Sequence, residues 1–343
     1  MVDTSMPALL ATKLYVPRLR VRRVLRPRLA ARLREAVAYR LVLVSAPAGF
    51  GKSTLLSEWA HDCRQEGTGG MPVAWLSLDE GDNDPVRFWS YLVAALQTVQ
   101  PGSGAEMAAL LRAPNPPAIE AILGSLLNEL ATLSADCALV LDDYHAIQAG
   151  AIHRGMEFLL AHLPAPLHLV IAGHADPPLP LALLRSRGEM LELRAADLRF
   201  TPEEAAQFLN QVAGLDLTRA EVALLDARTE GWVAALQLAA LSMQGEHDLH
   251  SSINGFHGSH RYVFDYLAQE ILGRQPKAVQ SFLLHTAVLD RLCGPLCNAV
   301  TGEGNGQAML DQLEHTNLFL WRRRRRRCAG ASTWGDNGTT QRA

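Results

Sequence analysis

The sequence predicts an α/β fold, a parallel sheet covered on both faces, followed by an all-helical region. Three observations carry this. Five short apolar runs lie between residues 40 and 200: Leu41–Ser45, Val73–Leu78, Ala138–Leu141, His168–Ala172 and Met190–Leu193. Each is flanked by turn formers, the pattern of buried strands in a parallel sheet. Helical patterns alternate with them at Ser53–Arg64, Pro85–Val99, Ala118–Leu133, Ile152–Leu163 and Pro180–Arg187. Strand–helix alternation of this kind builds sheets with helices on both faces. After Thr201 the strand signals stop.

Taken in order, residues 1–39 form a basic segment. Residues 13–40 hold ten basic side chains against one acid, Glu35. The expected structure is a solvated helix, because a nucleic-acid footprint needs positive charge gathered on a folded face. Residues 40–200 hold the sheet, and the Ala-, Pro- and Gly-rich stretch Gly102–Pro117 within them reads as a loop. Residues 201–245 open with Thr201-Pro202-Glu203-Glu204, an N-cap, a proline at the first helical position and acids facing the helix dipole. Further helical patterns follow at Ala220–Arg228, Trp232–Met243, Tyr262–Leu272, Lys277–Leu289 and Gly306–Glu314. Residues 246–258 read as a polar linker, and the irregular spacing of His247, His250 and His257 argues against a metal site. Residues 259–320 form a last helical domain. Residues 321–343 begin with Trp321 and six arginines, Arg322–Arg327, and read as an aberrant tail from a shifted frame or a truncated gene.

Composition sets limits on function. The chain has 343 residues, 48% hydrophobic and 20% charged, enough for two or three domains with real cores. Apolar stretches such as Gly231–Met243 fall short of the roughly 20 residues of a membrane span. Asp3 and the short apolar patch before Lys13 make a poor secretory signal, so the expected location is cytoplasmic. Five cysteines in a chain this long do not make a disulfide framework, and Cys293 and Cys297 read as buried thiols.

The strongest local signal is Ala46-Pro47-Ala48-Gly49-Phe50-Gly51-Lys52-Ser53-Thr54, between the first strand and the first helix of the sheet. That context is what a phosphate loop requires. Gly49 and Gly51 let successive N–H groups turn inward as an anion nest. The helix N-terminus adds its dipole, Lys52 reaches the β- and γ-phosphates, and Ser53 is placed to ligate Mg²⁺. Ala46 stands where the usual pattern has its first glycine. The second signal is Leu139-Val140-Leu141-Asp142-Asp143, an apolar strand ending in an acid pair. Asp142 would hold the Mg²⁺ shell, and Asp143 would orient or deprotonate the attacking water. Together they predict a P-loop NTPase sheet that binds ATP or ADP with Mg²⁺ and hydrolyses slowly.

Several segments resemble the ATPase module of MalT-like, LuxR-family transcriptional regulators within the STAND class. They are Leu10-Ala11-Thr12-Lys13-Leu14-Tyr15-Val16-Pro17, Trp75–Pro85, Leu141-Asp142-Asp143-Tyr144-His145, Asp176-Pro177-Pro178-Leu179-Pro180-Leu181, Leu198-Arg199-Phe200-Thr201 and Glu230-Gly231-Trp232. The resemblance implies a molecular switch. ADP would hold a closed form, ATP an open form that self-associates, and residues 259–320 would be a winged-helix domain, incomplete at its end. It also places His174 after the fourth strand, where such proteins often carry an arginine near the γ-phosphate. Gly231 would lie near the adenine, with Val233 where a proline is usual. Sensor repeats and a helix-turn-helix DNA reader normally follow, so specific DNA binding is expected only through a C-terminal domain not found in these residues. The alternative is a free-standing slow ATPase acting on a partner protein. No kinase catalytic-loop motif occurs in the sequence, which disfavours protein phosphorylation.

Overall fold

The computed structural model describes residues 9–65, 70–243, 265–273, 275–289 and 291–315. The chain divides into two compact units, Met1–Arg274 and Gln275–Ala343. The first unit contains a five-stranded sheet in the order β2-β3-β4-β1-β5, with β1 at Leu41–Ser45, β2 at Val73–Ser77, β3 at Cys137–Asp142, β4 at Leu167–Gly173 and β5 at Met190–Arg194. Every pairing is parallel. Every residue of β1, β3 and β4 is buried, which is why these strands read as unbroken apolar runs. The edge strand β5 alternates instead, and Glu192 and Arg194 are half-buried.

Helices α1 (Pro27–Arg34), α2 (Lys52–Gln65), α3 (Pro85–Gln97), α4 (Ala105–Leu111), α5 (Ile119–Leu130), α6 (Gly150–Ala161) and α7 (Leu181–Ser186) accompany the sheet. One core joins sheet residues Leu41, Leu76, Leu139 and Ile171 to Phe88, Trp89, Leu92, Leu123 and Met156 of the helices. Helices α8 (Ala195–Leu198), α9 (Pro202–Gln207), α10 (Arg219–Thr229) and α11 (Val233–Met243) follow, with one π-helical turn at Phe208–Val212 after α9. Thr201 caps α9 with Pro202 behind it, and Glu204 completes the capping box. These helices share a second core of Phe200, Phe208, Leu209, Leu225 and Leu236.

Two sequence expectations are corrected. The stretch Gly102–Pro117 is not all loop, since Ala105–Leu111 is helical and buries Met107 and Leu111. Its run of Ala, Met and Leu is a strong helix former, masked by the Gly and Pro on either side. The basic N-terminal segment is not a solvated helix. Leu29 and Leu33 of α1 are buried, and Val24 belongs to the second core. Three of the segment's arginines reach residues 197–204. Arg28 makes a two-pronged pair with Glu204 at 3.0 and 2.9 Å, Arg32 reaches Asp197 at 2.7 Å, and Arg26 donates to the carbonyl of Leu198.

In the second unit, helices run over Lys277–Thr286, Gly294–Thr301 and Gly306–His315. The second of these was not expected from the sequence. Cys297 is buried in it and Cys293 is half-buried, both as free thiols. The polar linker with His247, His250 and His257, and the Arg322–Arg327 tail, lie outside the described residues. Among the described residues, no helix is long and apolar enough to cross a membrane. The fold is a parallel-sheet P-loop core followed by helices and a small winged-helix-like C-terminal module.

Candidate functional site

The ends of β1, β3, β4 and β5 lie along one edge of the sheet. Ser45 pairs with Gly173 of β4 on one side and Arg194 of β5 on the other. The loop from Ala46 to Gly51 leaves from this edge, and α2 begins at Lys52. Ala46 is buried, and its N–H donates to the carbonyl of Gly173 at 3.2 Å. Its φ is not positive, so a Cβ is accommodated where the usual pattern has glycine. Gly49 has φ +77°, and a Cβ there would stand 2.5 Å from Cβ of Ala234. Phe50 is buried, while Thr54 is exposed on the first turn of α2.

Helix α11 reaches this loop directly. The Trp232 indole N–H donates to the carbonyl of Ala48 at 3.1 Å, and the N–H of Ala234 donates to Gly49 at 3.0 Å. Gly231 makes the approach possible. Its φ is +70°, and a Cβ would meet the carbonyl of Phe200 at 2.5 Å. Val233 opens α11, so the N–H groups meeting the loop come from its neighbours and not from the position where proline is usual.

The charged groups lie beneath the loop. The Lys52 ammonium is buried and donates to the carbonyls of Ala46 at 2.8 Å and Pro47 at 2.9 Å. Burial pulls its pKa down to about 8, against the pull of Asp143 and Asp142. Asp142 ends β3 and is also buried. Burial and then the neighbouring Asp143 push its carboxyl up to about 6, opposed by a hydrogen bond from Ser53. Asp143 takes a left-handed conformation with φ 57° and begins the turn Tyr144–Ala146. His145 Nδ1 stands 3.8 Å from Asp143 Oδ1. His174, just past β4, stacks on His145 with ring centroids 3.9 Å apart. The structure therefore brings together Lys52, Ser53, Asp142 and Asp143, with His174 beside Asp143. Gly231 touches the loop side through Trp232.

Three contributors escape sequence reasoning. Asn83 accepts from the N–H groups of Gln148 at 2.6 Å and Ala149 at 3.0 Å, and donates to the carbonyl of Ala146 at 2.8 Å. It thus braces the turn that follows Asp143. Ser45, the last residue of β1, donates to Asp176 at 2.8 Å, and Arg194 also holds Asp176. Buried Arg26 brings a guanidinium nitrogen to 3.9 Å from where a Cβ of Gly51 would be. Asn83 lies inside the segment Trp75–Pro85, whereas Ser45 and Arg26 lie in no segment that carries the resemblance, and the partners of all three are remote in sequence.

A buried ammonium beneath a glycine loop at a helix N-terminus is chemistry suited to an anion, and the adjacent carboxylates with Ser53 are oxygen donors suited to a hard cation. Residues 18–172 match the family described as AAA ATPase domain, and residues 268–329 match the MalT winged helix domain. The second match extends through the Arg322–Arg327 run. The chain is 36% identical over 299 residues to proteins named serine/threonine-protein kinase PknK from Mycobacterium tuberculosis and Mycobacterium bovis, covering 87% of this chain. It spans only 27% of the length of those relatives. The fold is similar to that of the Walker-type ATPase PABY2304 of Pyrococcus abyssi, with a TM-score of 0.56 and 15% identity, covering 88% of this chain and 92% of that one. These findings agree with the geometry: the chain carries a P-loop ATPase domain of AAA type linked to a MalT-type winged-helix domain.

Proposed function

We propose that the chain is a nucleotide-operated switch that binds ATP or ADP with Mg²⁺ in the loop Ala46–Thr54 and hydrolyses ATP slowly. The observation that carries this is the pair of buried groups Lys52 and Asp142, with half-buried Ser53 beside them, at the glycine loop that heads α2. Backbone N–H groups of the loop and the Lys52 ammonium bind the phosphates. The oxygen donors of Ser53 and Asp142 fit a hard divalent cation, since a carboxylate raised to about 6 beside Asp143 gains most from a positive neighbour. When bound, Mg²⁺ supplies charge neutralisation on the phosphate oxygens. Asp143 accepts the proton of the attacking water, and His174 faces the developing charge from the end of β4. Gly231 places the first turn of α11 against the phosphate loop, so nucleotide contacts there bias the position of the helical region.

The match to a MalT-type winged-helix domain supports a regulatory role, as in a cytoplasmic STAND-type transcriptional regulator that self-associates with ATP bound. The similarity to kinase-named relatives supports the wider reading that such a module serves more than one output. Lys52→Ala should remove most nucleotide affinity in calorimetry, because it deletes a charge-assisted contact of about 1.5–3 kcal/mol. Equal affinity of mutant and parent sinks the assignment.

A further inference from the structure

Strands β3 and β4 are neighbours in parallel register, so the residues that follow them emerge side by side. From β3 come Asp143 and His145, and from β4 comes His174. The two imidazole rings stack at 3.9 Å with an interplanar angle of 17°. One ligand atom from each of Asp143, His145 and His174 lies within 4.8 Å of the other two, and all three residues are half-buried. Two imidazoles and one carboxylate are not the donor set of Mg²⁺, which takes oxygen. They are the set of zinc and its borderline neighbours, three protein ligands with a fourth position for water. With metal–ligand bonds of about 2.0–2.2 Å, ligand atoms in a tetrahedral site stand roughly 3.3 Å apart. The ligand atoms must close by up to about 1.5 Å, and one imidazole must turn out of the stack so that both in-plane lone pairs aim at one ion.

We propose that Asp143, His145 and His174 form a binding site for a zinc-class divalent cation at the ends of β3 and β4, distinct from the Ser53–Asp142 oxygen pair. The bound ion takes a lone pair of Asp143 and so withdraws that carboxylate from the attacking water. This consequence rests on the ATPase reading; the site itself does not.

Cobalt(II) tests it, as a coloured substitute for zinc, titrated into the full nucleotide-free chain. The expected result is one equivalent with visible d–d absorption, displaced by zinc, without a thiolate-to-cobalt charge-transfer band. His145→Ala and His174→Ala should each weaken it at least tenfold, while Cys297→Ser and His247→Ala leave it intact. His145→Gln, on the same turn, supplies a variant of closer shape if the alanine variants melt early. Equal cobalt binding in parent and all histidine variants overturns the proposal. So does a spectrum with the thiolate band that disappears in Cys297→Ser. In the turnover assay, micromolar zinc should inhibit the parent in excess Mg²⁺, reversibly by a zinc-selective chelator, and leave the remaining turnover of His145→Ala unaffected. A parent without turnover counts against the ATPase reading alone, and the cobalt titration still decides the site.

Discussion

Asp142 and Lys52 are ionisable groups buried in the folded chain at a cost. The Asp142 carboxyl is pushed up to about 6 by burial and by Asp143. An unfolded aspartate titrates near 3.9. Between those values the folded state holds more protons than the unfolded one, so this group's contribution falls as pH rises from about 4 to about 6. Above that window the full penalty is present. Lys52, pulled down to about 8, carries the opposite proton balance, and its burial penalty is relieved as pH rises through about 8 toward the ordinary lysine range. Asp142→Asn imitates the protonated acid. It should raise the stability of the nucleotide-free protein at pH 7.5 by about 1–3 kcal/mol. The lower end applies if the loss of attraction to Lys52 is felt. The gain should shrink toward zero near pH 4, where the parent is protonated as well. Denaturant titrations at the two pH values check this, and a gain of equal size at both contradicts it. The same substitution should weaken Mg²⁺-dependent nucleotide binding, because an amide oxygen is a poorer partner for the cation.

At the level of elements, the segment after β2 does more than connect. Lys13, from the short 3₁₀ turn Ala11–Leu14, is buried and pairs with Asp82 at 2.6 Å and Asp79 at 2.7 Å. The pair joins the opening Leu10–Pro17 to the segment Trp75–Pro85. Asn83, next in line, holds the turn that carries His145, while Asp143 precedes that turn. Asn83→Ala leaves two N–H groups and a carbonyl without their side-chain partner. Each such loss is worth about 1 kcal/mol or more. The expected outcome is a fall of roughly tenfold in kcat for ATP, with KM within about twofold, since the phosphate loop itself is untouched. Asn83→Asp, which keeps the acceptor, should fall between. A change in KM alone would contradict this. The strands were legible because β1, β3 and β4 are buried along their whole length, and their shortness, flanking turn formers and alternation with helical patterns set them apart from buried helix. The grouping of Lys52, Ser53 and Asp142 was legible because a loop between strand and helix and an acid at a strand end are marked by local spacing. Asn83 and Arg194 were not, because a loop asparagine and an edge-strand arginine acquire roles only from partners the chain brings from elsewhere.

For the molecule as a whole, the linear separation of charge becomes complementarity within the first unit. Three of the ten basic residues of the stretch 13–40, Arg26, Arg28 and Arg32, reach the acids and carbonyls of residues 192–204. They thereby join the edge of the sheet at β5 to the helical region at α9, with Arg23 reaching Glu58 of α2 at 3.2 Å. Arg26 is the most confined of these residues. It is buried, burial holds its guanidinium down to about 10, and it lies over the Phe200 ring with Glu204 at 3.7 Å. Arg26→Met keeps much of the apolar stem but withdraws the donors from the carbonyls of Leu198 and Arg199. It also leaves buried Glu204 with Arg28 as its remaining arginine partner. The cost should be about 2–4 kcal/mol. Because the lost contacts span the sheet and the helical region, the two should also stop melting together. Far-ultraviolet dichroism and tryptophan fluorescence, the latter sensitive to Trp232 against the phosphate loop, should then give separate midpoints where the parent gives one. A single coincident transition at the parent's midpoint would show that the hydrophobic cores alone hold the sheet and helices together, and that the basic strap contributes only surface charge.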